Sequence, residues 1–308
     1  MVSDRPLKDI PHVVRLGDLS PHPGRGGKSF QEWLDLLPSQ LAGREVREVL
    51  DRWVEARRTG KTVIWAFGAH LIKVGLSRWL IALMEEGLVT HLAVNGAVAI
   101  HDYELAAVGH TSEDVARGLA DGSFGQAGET AEFINRAARD AAGKGIGLGE
   151  ALAEAMHLAG LPHQDVSVLA AAGRIGLPVS VHLALGADTI HSHPSADGSS
   201  LGQTSLADFQ RFSDWVGLLE GGLYFNVGSA VIMPEIFLKA VSRARSRGSE
   251  LAGLTTVVMD FIRHYRPMEN VCRRPLGTTG RGYYLIGHHE IMVPLMAQAA
   301  LSRWQAGG

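Results

Sequence analysis

Short apolar runs that alternate with helix-patterned segments constrain this 308-residue chain more than any other feature. Thr62-Val63-Ile64-Trp65-Ala66-Phe67 has the continuous hydrophobicity of a strand buried on both faces, and it stops at Gly68 before a helical pattern over 71–86. The run 89–94 repeats the design, stopping at Asn95-Gly96 before another helical pattern. Strand, small-residue turn, helix, strand is the signature of a parallel sheet, because parallel neighbours need a crossover that a helix supplies. Residues 109–150 read as helices and loops inserted in the sheet order. Beyond them the pattern predicts a helix over 152–158, a strand or helix over 166–172, a strand over 177–185 and a helix over 205–218. Strands follow at 222–227, 254–261 and 283–287, with helices over 234–245 and 291–304.

Two helices are predicted before the first strand. Phe30, Trp33, Leu34 and Leu37 recur at helical spacing after Ser29, and Val46, Val49, Leu50 and Trp53 share one face of a helix over 41–58 that ends at Thr59-Gly60. Residues 1–30, rich in Pro, Gly and His, read as an irregular arm. The expected division is an N-terminal arm with its helices over 1–58 and an α/β domain over 59–308. A formal net charge of -3 gives no electrostatic ground for a nucleic-acid or membrane partner, and the expected partner is a small-molecule ligand. Cys272, the one cysteine, excludes a disulfide within the chain and a thiolate zinc cage. No apolar stretch has the length and purity of a membrane span, and the N-terminus lacks the apolar core of a secretory signal, so a cytoplasmic location is expected.

Four strand ends combine glycine with polar side chains. They are Gly68-Ala69-His70; Asn95-Gly96 with His101-Asp102 beyond it; Asp188, His191, His193 and Asp197-Gly198 after the strand 177–185; and Asn226 with Gly228-Ser229. In open parallel sheets ligands bind beyond the carboxyl ends of the strands, where glycine lets backbone N–H groups approach a phosphate. A tight turn explains any one of these glycines; four such ends together point to a pocket. Gly68, Ala69, His70, Asn95, Gly96, Asp197, Gly198, Asn226, Gly228 and Ser229 are therefore the expected ligand contacts, and His101, Asp102, Asp188, His191 and His193 the expected acid–base or polar groups.

His191 and His193 would point the same way in an extended segment, and with Asp188 and Asp197 they could hold a metal or move a proton. Hydrogen-bonded histidines in a polar loop explain the same residues, and no metal is assigned. His288-His289-Glu290 has the same ambiguity, and on a helix the two adjacent histidines would diverge. Glu235 follows Gly228-Ser229 by one helical turn and reads either as a general base or as a partner of the helix dipole. The fingerprint G-x-G-x-x-G and the nucleophile elbow G-x-S-x-G are both absent. Gly24–Gly27 before Lys28-Ser29 mimics a phosphate-binding loop but has His22 in place of its first glycine. Lys73 is the one lysine just beyond a glycine-bearing strand end.

Over roughly residues 60–300 the order of segments resembles the deoxyhypusine synthases. Ala69-His70-Leu71-Ile72-Lys73-Val74-Gly75 is similar in placement to that family's S-N-x-x-S-S-G turn. Val94 to Asp102 sits where the family has T-T-A-G-G-x-E-E-D, and Pro178-Val179 followed by Asp197-Gly198 is similar to its I-P-V and D-G-S-L-G segments. The resemblance implies an α/β, Rossmann-like, mostly parallel sheet flanked by helices, with a helical N-terminal arm. It also implies NAD as cofactor, a transferase and a homotetramer. The family's imine-forming lysine falls on Ile232, and its two following histidines fall on Met233 and Pro234. Its paired glutamates fall on Ile100 and His101. Deoxyhypusine synthesis is thus not expected. The expectation is an enzyme of this scaffold with altered chemistry, binding an NAD-like nucleotide or small polar ligand at the strand ends. The alternatives are a non-catalytic ligand-binding or assembly protein on the same scaffold, and a metal-dependent hydrolase using His191 and His193.

Overall fold

A computed structural model of the chain describes residues 18–21 and 28–306. Most of the predicted arm over 1–30, including the glycines of Gly24–Gly27, lies outside the described residues.

The expected alternation is present. In chain order the elements are α1 (Phe30–Asp35), α2 (Leu41–Arg58), β1 (Val63–Phe67), α3 (His70–Lys73), α4 (Ser77–Glu85), β2 (His91–Asn95), α5 (Gly96–Val108), α6 (Val115–Asp121), α7 (Gly128–Lys144), α8 (Leu148–Leu158), α9 (Val168–Ile175) and β3 (Val179–His182). Then follow α10 (Gly198–Val216), β4 (Leu223–Val227), α11 (Ile232–Ser246), β5 (Thr255–Asp260), α12 (Tyr265–Asn270), β6 (Arg281–Ile286) and α13 (His289–Gln305). One six-stranded sheet runs in the order β3-β2-β1-β4-β5-β6, and every pairing in it is parallel. This is the Rossmann order. The chain builds outward from β1 to β3, then returns to the other side of β1 and builds outward again, so the direction of winding reverses between β1 and β4.

Strand alternation explains the continuous apolar runs. Trp65 and Phe67 of β1 pack with Phe225 and Val227 of β4 and Trp53 of α2 in the larger core, while Ile64 and Tyr224 face the core built with Phe212 of α10 and Phe237 of α11. Both sheet faces are covered, so strand positions on both faces are apolar. The predicted helix over 71–86 is split, because Gly75 adopts φ +79 and separates α3 from α4. The segment 166–172, left open between strand and helix, belongs to a short 3₁₀ turn at Gln164–Val166 and then to α9. The helix predicted from 205 begins at Gly198, where the Asp197 carboxylate caps it. A further unforeseen element is α12, six residues long and too short for periodicity to show.

Candidate functional site at the carboxyl edge of the sheet

The reversal between β1 and β4 brings two glycine turns into contact. A Cβ on Gly68 would run into the carbonyl oxygen of Gly228. Gly228 has φ +60 and lies beneath the His289 imidazole, so both glycines are needed for the turns to approach each other. Asn226, fully buried at the end of β4, donates from Nδ2 to the Ser229 carbonyl at 2.9 Å. Ser229 Oγ in turn accepts the Met233 N–H at 3.2 Å and anchors the start of α11. Asn226 Oδ1 is buried with no hydrogen-bond partner among the described residues. Gly68, Asn226, Gly228 and Ser229 thus form one knot at the switch point.

A group of rings stands over this knot. His70, exposed at the start of α3, has its ring centroid 5.2 Å from that of His289. His289 is buried; its Nε2 bonds to the Met259 carbonyl at 3.1 Å, and its Nδ1 has no partner among the described residues. Burial pushes its pKa below the usual histidine range. Phe261 lies 6.1 Å from His70 and stacks on the exposed ring of His288. Phe261 was not foreseen as a site residue, because the spacing of residues on β1, β5 and α13 says nothing of their convergence in space.

On the other side of β1, Asn95 caps α5, its Oδ1 accepting the Val98 N–H at 3.2 Å. A Cβ on Gly96 would collide with the Asp188 carboxylate, which is why that helix can begin so close to the loop after β3. Burial raises the Asp188 pKa. Asp188 also lines a cavity of about 160 Å³ with Lys73, His101, Glu104, Glu113 and Thr189. His101 Nδ1 bonds to Thr111 Oγ1 at 2.6 Å and lies 3.6 Å from Glu104. Burial alone would raise Glu104, but hydrogen bonds from His101 and Thr111 outweigh it and hold the carboxyl below its ordinary value. Glu104 was a signal missed in the sequence, one helical turn beyond His101 on the same face.

Other candidates have local duties. Asp102 is fully buried and accepts from Ser167 Oγ at 2.7 Å and from the Val168 and Leu169 N–H groups at 2.9 Å, fastening the start of α9. It does not line the strand-end cavity. The segment with His191 is not extended: Thr189–Ser192 is a 3₁₀ turn, so the i, i+2 alignment with His193 does not form. His191 Nδ1 accepts the Gly186 N–H at 3.2 Å, whereas His193 Nδ1 bonds to Ser195 Oγ at 2.7 Å. Among the described residues no group of three or more His, Cys, Asp or Glu side chains is placed to hold a metal. Asp197 accepts from the Ser199 and Ser200 N–H groups at the start of α10, whose first residue is Gly198. Glu235, in the first turn of α11, pairs with Lys239 and Arg266 and accepts from Asn270. Ala69 precedes α3 at the β1 turn. No helix among the described residues is long and apolar enough to cross a membrane.

No family model and no curated protein matches the sequence. Solved structures do share the fold. AgrE in ternary complex with ornithine and NAD+ is similar with a TM-score of 0.56 at 15% identity over 86% of this chain and 34% of its own. A conserved LOR/SDH protein from Methanococcus maripaludis S2 gives 0.53 at 15% over 84% of this chain and 68% of its own. A protein described as a deoxyhypusine synthase from Entamoeba histolytica gives 0.52 at 10% identity, over 90% of this chain and 94% of its own. The chain spans about a third of ArgZ, a cyanobacterial arginine dihydrolase, and of AgrE. At these identities the likeness is one of architecture, and the architecture is the deoxyhypusine synthase-like, Rossmann-like α/β fold.

Proposed function

We propose that the protein is an enzyme that binds an NAD-class dinucleotide along the carboxyl edge of its sheet and carries out chemistry other than deoxyhypusine synthesis. The carrying observation is the strand order, whose reversal lies between β1 and β4, at the Gly68 and Gly228 turns. Dinucleotides lie across such a reversal, with the diphosphate over the first strand's turn and the two nucleosides to either side. His70 stands at that turn, Asn95 ends β2 on one side, and His289 and Phe261 border the other. That AgrE was solved with NAD+ on a related fold supports the same reading. Ile232 opens α11 and Met233 and Pro234 are buried, so these positions offer neither an imine-forming amine nor an acid–base pair.

Exposed Phe261, Ile262, Ile286 and Ile291 rim this edge, and they suit closure of the site by a second subunit in a homotetramer. The test is titration calorimetry of the full chain with NAD+ and NADH, with His70→Ala as the variant because His70 is exposed and outside the core. The expected result is saturable binding weakened about tenfold in the variant, which corresponds to one lost polar contact of roughly 1.4 kcal/mol. Absence of binding by both nucleotides at millimolar concentration rules the reading out.

A further inference from the structure

The start of α4 borders a cavity of about 290 Å³ that shares no lining residue with the strand-end cavity of Asp188. Its walls are Ser77 and Arg78 of α4, Leu105 and Gly109 at the end of α5, and His163 and Val166 beyond it. The nine-residue α4 starts without a cap: Leu76 stands at the N-cap position, no side chain bonds there, and the first turn holds no acidic residue. The N–H groups of Ser77 and Arg78 find no acceptor among the described residues. The positive end of the helix is therefore unanswered.

The Ser77 hydroxyl is a second, independent sign of a missing partner. Ser77 is only 5% exposed, and its buried Oγ has no hydrogen-bond partner among the described residues. A buried hydroxyl left unpaired costs stability, and this one belongs to a wall of the cavity at that same helix start. The neighbours suit an anion. Arg78 brings a guanidinium whose one ion pair, to Asp165 at 3.1 Å, is exposed and contributes little in water. The His163 imidazole stands over Gly109, where a Cβ would come 3.0 Å from Nε2, and the ring makes no hydrogen bond among the described residues. Among the described residues no carboxylate lines the cavity.

We propose that this cavity binds a phosphate-class oxyanion, whose oxygens take the Ser77 and Arg78 N–H groups, the Ser77 hydroxyl and the Arg78 guanidinium. A free phosphate ion and the phosphate of a small monoester offer this chemistry alike, and Leu105 and Val166 give the ester an apolar wall to rest on. The inference is independent of the dinucleotide reading.

Titration calorimetry of the full chain in chloride buffer, with inorganic phosphate and with phenyl phosphate, tests it. Saturable binding of either supports the proposal. Tighter binding of phenyl phosphate identifies a monoester site, and equal or tighter binding of inorganic phosphate a site for the free ion. Ser77→Ala should raise the Kd about tenfold and leave the Tm of the unliganded protein unchanged or higher, because the orphaned hydroxyl is gone. Arg78→Gln, at an exposed position, should also raise the Kd about tenfold. Absence of binding by both probes at millimolar concentration overturns the proposal, as does wild-type affinity in Ser77→Ala. Displacement of the bound probe by saturating NAD+ overturns it too, since the cavity would then belong to the dinucleotide site.

Discussion

Asp102 and Asp188 share a side chain, and the fold gives them opposite tasks. Asp188 lies against the start of α5 and looks into the cavity. Asp102, further along α5 itself, satisfies a hydroxyl and two N–H groups at the start of α9. Removing that carboxylate strands buried donors, and each such orphan costs roughly 1–3 kcal/mol. Asp102→Ala should therefore lower the unfolding free energy by about 3–5 kcal/mol in chemical denaturation; a change under about 1 kcal/mol would show that the fastening is dispensable. His182 makes a second residue-scale case. Buried at the end of β3 with its Nε2 3.0 Å from Ser180 Oγ, it is pushed by burial to a pKa of about 3 from 6.5. A depressed folded-state pKa contributes stability that is present above pH 6.5 and is lost as pH falls through that value towards about 3. His182→Phe, which keeps a ring against Phe212, should flatten the acid limb of a stability-versus-pH curve.

At the scale of elements, one carboxylate joins three of them. Asp208 of α10 accepts the Gly149 N–H of α8 at 2.9 Å and the Val181 N–H of β3 at 3.0 Å, with Oδ1 unpartnered among the described residues. Gly147 approaches so closely that a Cβ there would strike this carboxylate. Burial raises the Asp208 pKa from 3.8 to about 7, more than the backbone N–H groups of Val181, Gly149 and Leu148 and the Arg211 charge lower it. A raised folded-state pKa gives stability that is full below about pH 4 and is lost as pH rises through about 7, opposite in sign to His182. Asp208→Asn should remove that descending limb in urea denaturation between pH 4 and 7. An unchanged slope would mean that Asp208 titrates alike in the folded and unfolded chain. Most elements are legible in the sequence: the helix over 41–58 and the strand at 63–67 follow directly from periodicity and from runs of β-branched and aromatic residues. The break at Gly75 is not, since a lone glycine in a helical pattern is compatible with continuation.

Across the whole molecule, the N-terminal helices belong to the same core as the sheet. Trp53 of α2 is fully buried, packs its ring 4.8 Å from Phe225 of β4, and donates from Nε1 to the Leu88 carbonyl at 2.8 Å. Trp53→Ala should cost about 3–5 kcal/mol. It should also expose Trp65 and Phe225, read as a red shift of fluorescence in the folded protein; an unaltered spectrum and stability would place α2 outside the folding unit.

The fold class was readable because its signals are local: strand-length apolar runs, small-residue turns and helical spacing are properties of neighbouring residues. The expectation of a site at the strand ends has the same local basis, since ligands of parallel sheets collect at strand ends that the turns mark. Which histidine meets which carboxylate was settled by tertiary structure alone. His289 reaches Gly228 from a distant stretch of the chain, Asp102 turns from the cavity to fasten α9, and Thr189–Ser192 coils where an extended segment would have aligned His191 with His193. Spacing fixes direction only within an element, whereas a site is made where separate elements end side by side.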